Sequence, residues 1–101
     1  MPQNINLSKI LIADFCQRYH IRKLSLFGSV LRDDFKADSD VDVLVEFEPT
    51  HTPGLIRLAK MEMELSAILG GRAVDLRTPD DLSRYFRTEV MKKAEVQYAQ
   101  R

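Results

Sequence analysis

No charge of either sign dominates this chain. Fifteen lysines and arginines offset fifteen acids over 101 residues, so no overall field draws it toward nucleic acid or an anionic membrane surface, and strong nucleic-acid binding is not expected. The single cysteine, Cys16, excludes an internal disulfide. Its neighbours Ile12, Phe15 and Tyr19 place it on the apolar side of a helix, so a buried thiol in a reducing cytoplasm is the expectation. No apolar run approaches the roughly 20 residues that a membrane-crossing helix requires. Met1-Pro2-Gln3-Asn4 lacks the basic start and apolar centre of a signal peptide. Repeats and low-complexity tracts are also missing. These absences predict a cytoplasmic protein without membrane association. Its 101 residues suffice for one domain spanning 1–101 that buries roughly two-thirds of its unfolded surface.

What is present centres on residues 27–45. Upstream, Leu7, Leu11, Ile12, Phe15, Cys16 and Tyr19 recur at helical spacing, with Asn6 or Ser8 to cap the start. His20 ends that helix, and Ile21–Phe27 reads as the first strand. Gly28-Ser29 follows as a small turn that exposes backbone, then Val30–Asp34 as a short helix and 35–39 as a polar loop. A second strand runs from Asp40 to Glu48. Val41, Val43, Val45 and Phe47 occupy one face and Asp40 and Asp42 the other, and a slip of one residue would bury the carboxylates, so the alternation sets the register.

Pro49 stops the strand, and Thr52 with Pro53 predicts the start of a helix carrying Leu55, Leu58, Met61, Leu65, Ile68 and Leu69 on one side. Gly70-Gly71 ends it. Arg72–Arg77 is the third strand, with Val74 and Leu76 on one face and Asp75 on the other. Thr78-Pro79-Asp80-Asp81 repeats the helix-start signal, predicting a short helix to Tyr85. Phe86, Val90, Met91, Ala94 and Tyr98 predict a closing amphipathic helix. The order of helix, strand, strand, helix, strand, helices implies an α/β (α+β) fold: a small mixed sheet with helices on one face.

An Asp-x-Asp pair alone is weak, since roughly two acid-x-acid pairs arise by chance at this acid content; Glu62-x-Glu64, on a helix, reads as a solvated pair. Asp40-x-Asp42 differs because it opens an apolar strand, follows a Gly-Ser turn, and has a third acid, Asp75, available on another strand. Three carboxylates at one sheet edge repel unless a cation holds them, which points to a divalent metal site. Mg²⁺ suits hard oxygen ligands shared with a nucleotide's phosphates. Two such ions would clamp an in-line displacement at phosphorus, with Gly28 and Ser29 on the phosphates and Asp75 ligating the second ion and accepting the acceptor's proton. Arg32 and Lys36 read equally as phosphate contacts or solvated surface, and Tyr85 and Phe86 as core or partner interface. His20 and His51, at element ends with no partner at ligand spacing, are assigned structural roles.

Gly28-Ser29, ten residues, Asp40-x-Asp42 and a later Asp75 resemble the DNA-polymerase-β-like nucleotidyltransferases, and the chain length resembles the minimal nucleotidyltransferases, the MntA-type antitoxins. The resemblance implies a nucleotidyltransferase fold. It implies Gly28 and Ser29 as the nucleotide-phosphate turn, and Asp40, Asp42 and Asp75 as the catalytic and metal-binding carboxylates. It also implies two Mg²⁺ ions, ATP as substrate, and a cognate HEPN-type toxin whose tyrosine receives AMP. A binding-only antitoxin is the alternative. Where many relatives carry a small residue and a glycine after the turn, this chain has Leu31-Arg32-Asp33.

Overall fold

The computed structural model describes residues 7–32, 35, 36 and 38–100. Helix α1 (Lys9–Arg18) is capped by Ser8, whose Oγ accepts from the Leu11 N–H at 3.3 Å. The chain reverses into β1 (Ile21–Phe27) through His20 in the left-handed region, φ 57°. A 3₁₀ turn (Gly28–Leu31) replaces the expected short helix, and Asp33 and Asp34 lie outside the described residues. Strand β2 (Val41–Phe47), helix α2 (Leu55–Ile68) and strand β3 (Val74–Arg77) follow. Gly54, extended and making no side-chain cap bond, precedes α2, so Thr52 and Pro53 stand ahead of its cap.

The sheet order is β3-β2-β1 with a fourth strand, β4 (Glu95–Ala99), beyond β1. β1 pairs antiparallel with β2 and with β4, while β2 and β3 are parallel, as the connecting α2 requires. The sheet is therefore mixed, as expected, but residues 95–99 form a strand where the periodicity predicts helix. Val90, Met91, Ala94 and Tyr98 do fall at helical steps, yet α3 (Arg84–Lys93) stops, and Glu95–Ala99 hydrogen-bonds to the outer edge of β1. That edge would otherwise present unpaired backbone groups, and satisfying them outweighs a weak local period. The predicted helix to Tyr85 is likewise only a 3₁₀ turn (Pro79–Asp81). The Asp81 carboxylate accepts from the Thr78 N–H and hydroxyl at 3.0 and 3.1 Å. Leu82 then turns extended to bury its side chain.

The main core lies where α1 and α2 cover the sheet. Ile12, Phe15 and Cys16 meet Met61 and Leu65 over Leu24, Leu26, Val41, Val43 and Val45. The valines of β2 thus face the core as their alternation predicts. The other sheet face is not bare: Phe27 and Leu44 pack with Leu82 and Val90 in a smaller cluster supported by α3. Helices therefore flank both faces of the sheet, which corrects the one-face expectation, and the second cluster forms a wall beside Asp42.

Candidate active site

The β-ladders place three positions in a row across the sheet: Phe27 opposite Asp42, and Asp42 opposite Asp75. Gly28 continues β1 past Phe27 with φ 77°, a conformation that L side chains rarely adopt. A Cβ built there would collide with the Asp42 Oδ2, so the turn can approach the carboxylate this closely only as glycine. Asp40 stands one residue before β2, exposed, with Val41 anchored by its N–H on the Ala73 carbonyl at 2.8 Å. It is near enough to Asp42 to act on its charge.

The carboxyl of Asp42 is pushed above the usual carboxylate range. Burial is the largest cause, followed by repulsion from Asp75 and Asp40, while Arg77 and Arg32 pull it back. Arg77 grips Asp75 with two donors, Nε to Oδ1 at 3.1 Å and Nη2 to Oδ2 at 3.2 Å. Among the described residues, the carboxylate oxygens of Asp40, Asp42 and Asp75 do not all gather within 4.8 Å of one another. Repulsion and the Arg77 fork account for the spread. A hard-oxygen donor set whose central member is pushed up first by burial and then by its neighbours' charge fits a divalent cation such as Mg²⁺.

Gly28, Ser29, Arg32, Asp42, Asp75 and Arg77 line a cleft of about 520 Å³, closed on the far side by Asp81, Leu82, Ser83 and Phe86. Four of the five expected site residues therefore share one cleft; Asp40 does not line it but acts on the charge of Asp42. Sequence reasoning missed Arg77 and Ser83, and left Arg32 undecided. Arg77 had a signal, lying two residues after Asp75 on the same strand face. Ser83 and Phe86 had none, because only the packing of Leu82 brings that segment over the sheet. Phe86 is therefore a wall of the cleft and not a core residue.

A second cluster gives the two histidines the partners that their sequence spacing does not show. His20, Glu48 and His51 each present a ligand atom within 4.8 Å of the others. Sequence spacing hid this, because the β1–β2 pairing brings residues 20 and 48 side by side.

The family model for nucleotidyltransferase domains matches residues 8–97. A protein adenylyltransferase, MntA, from Thermococcus cleftensis is 45% identical over 60 residues, which cover 59% of this chain and 58% of that protein. The chain thus spans little more than half the length of that relative. A protein from Methanocaldococcus jannaschii, named as a candidate protein adenylyltransferase, is 31% identical over 91 residues, 90% of this chain and 95% of that one. Among solved structures, a candidate minimal nucleotidyltransferase matches with a TM-score of 0.69 at 31% identity over 85% of both chains. A chain in the complex of a tri-AMPylated Shewanella oneidensis HEPN toxin with an MNT antitoxin shares the fold. Its TM-score is 0.60 at 19% identity, over 91% of this chain and 70% of that one.

Proposed function

Because the chain belongs to the nucleotidyltransferase domain family, we propose that it is an antitoxin that transfers AMP from ATP to a tyrosine of a HEPN-type toxin, in the cytoplasm and as a single domain. The observation that carries this reading is the juxtaposition of Gly28 with Asp42, and of Asp42 with Asp75, in a cleft flanked by two arginines. The 45% identity to a protein adenylyltransferase supports the choice of AMP as the group transferred, and the fold shared with a toxin–antitoxin complex supports the class of partner.

In this reading the cleft divides the labour by chemistry. The positive-φ turn at Gly28 and Ser29 lets phosphate oxygens approach backbone N–H groups with no side chain in the way. Asp40 and Asp42 would hold Mg²⁺, which when bound neutralises the triphosphate and polarises the phosphorus under attack. Asp75, directly across the ladder from Asp42, accepts the proton of the incoming tyrosine hydroxyl. Arg77 and Arg32 offset phosphate charge at the mouth, and Arg77 keeps the Asp75 carboxylate aimed until substrate enters.

The test is transfer of label from α-phosphate-labelled ATP to a HEPN-type toxin co-expressed and co-purified with this chain. Label is expected on a toxin tyrosine and is lost in Asp42→Asn and Asp75→Asn. Absence of label with the intact protein, together with neutralisation by those variants, would mean that complex formation alone inhibits the toxin.

A further inference from the structure

At the opposite end of the β1–β2 ladder from Gly28 and Asp42, about 20 Å away at roughly 3.3 Å per residue, the chain brings His20, Glu48 and His51 together. We propose that these three side chains form a second, separate metal site that takes a first-row transition dication of the zinc type. No part of it belongs to the nucleotide cleft.

Three backbone features build the cluster. His20 is held at φ 57° in the reversal between α1 and β1, and its carbonyl accepts from the Glu48 N–H at 2.9 Å. Thr50, at φ 68°, turns the chain back, and the His51 N–H donates to the Glu48 carbonyl at 3.0 Å. Two non-glycine residues in the left-handed region within one small cluster are uncommon, and together they bring both imidazoles to the same carboxylate. The rings stack with centroids 4.1 Å apart, and the His20 Nδ1 lies 3.6 Å from the Glu48 Oε2.

Two of the three donors also have an orienting partner, as metal ligands commonly do. The His51 Nδ1 sits 3.0 Å from the Pro49 carbonyl, which can only accept, so Nδ1 carries the proton and Nε2 holds the free lone pair. The Glu48 Oε2 accepts from the Gln100 Nε2 at 2.9 Å, so the carboxylate is steadied by the segment following β4. The Arg57 guanidinium, which lines the same hollow, lies over the Tyr19 ring at 5.3 Å. Two imidazoles and one carboxylate, with a small open hollow beside the histidines, match a three-ligand site completed by water. Imidazole donors favour Zn²⁺, Co²⁺ or Ni²⁺, whereas Mg²⁺ favours the all-oxygen cleft, so the two sites differ in the metal they select. An ion here would tie the start of β1, the end of β2 and the loop before α2 together.

The experiment uses the untagged full chain. Zn²⁺ is titrated against a chromophoric chelator, and Co²⁺ is followed by its visible d–d absorption. One equivalent is expected to bind, with a rise in Tm, in the wild type and in Asp42→Asn alike. His20→Ala and His51→Ala are expected to weaken binding at least tenfold and to abolish the Tm rise, with circular dichroism confirming that both fold without metal. Binding that survives in both histidine variants, that is lost in Asp42→Asn, that appears only at one ion per two chains, or that needs more than about 100 µM free Zn²⁺ would overturn the site.

Discussion

Gly28 and Asp42 are packed so closely that the glycine's missing side chain is part of the site: any Cβ would occupy the space of the Asp42 Oδ2. The positive φ at Gly28 reinforces the restriction. Gly28→Ala should therefore cost about 1–2 kcal/mol of stability through the backbone alone, and should displace the Asp42 carboxylate. Urea unfolding checks the first and AMP-transfer rate the second. Ser29→Ala, whose side chain meets no such constraint, should leave stability within about 0.5 kcal/mol of wild type.

Asp42 carries negative charge against two other acids while partly buried. Its raised folded pKa means that its ionised form disfavours the fold: stability from this group is present at low pH and is lost as pH rises through that raised value. Asp42→Asn should accordingly raise the Tm of the metal-free protein at neutral pH while abolishing AMP transfer. Mg²⁺ with ATP should narrow the difference by stabilising only the wild type. A lower Tm for the metal-free variant would show that the carboxylate is stabilising as it stands.

Arg77 divides its charge between Asp75 and the cleft. Arg77→Ala should raise the KM for ATP and lower kcat, by about 10–100-fold in kcat/KM, equivalent to about 1.4–2.7 kcal/mol. Arg77→Lys should recover little, since one ammonium cannot reproduce a two-donor fork. Steady-state kinetics at several ATP concentrations separate the two effects.

Cys16 is fully buried, 0% exposed, and burial pushes its thiol up from 9.0 to about 12. Two outcomes are expected. The native protein should resist a thiol reagent at pH 8 and react fully once unfolded in urea. Stability should also fall between about pH 9 and about pH 12, where the unfolded chain ionises its thiol and the folded chain does not. Comparing the Tm of wild type and Cys16→Val across that window isolates the thiol from other groups that titrate there.

β4 can be tested by contrast within the strand. Tyr98 packs on the main core while Val96 is exposed. Tyr98→Ala should destabilise by about 1–2 kcal/mol and Val96→Ala by less than about 0.5 kcal/mol, read from denaturant midpoints.

The strongest local patterns were legible without coordinates. The valines of β2 alternate strictly, so the face they bury and the face that carries Asp42 follow from a period of two. The stripes of α1 and α2 place Phe15, Cys16, Met61 and Leu65 inward by a period of 3.6, and both helices appear close to their expected bounds. Gly28-Ser29 followed at a set distance by Asp40 and Asp42, with Asp75 between two apolar residues, marked the cleft, because site chemistry left acids where burial would place apolar side chains.

Sequence by itself thus determined the helices α1 and α2, the three strands β1 to β3, and that Asp42 lies on the face opposite the β2 valines. Only the tertiary structure decided the rest. Glu95–Ala99 became a strand because β1 has an edge to pair, a demand made by a neighbour distant in sequence. The segment from Pro79 stopped at one turn because Leu82 had a second core to enter. Arg77 settled on Asp75, and His20 met Glu48 and His51, through strand pairing and loop reversals that no local spacing encodes. Side-chain periodicity is a property of neighbours along the chain, whereas an edge, a wall or a ligand cluster exists only once distant segments are brought into contact.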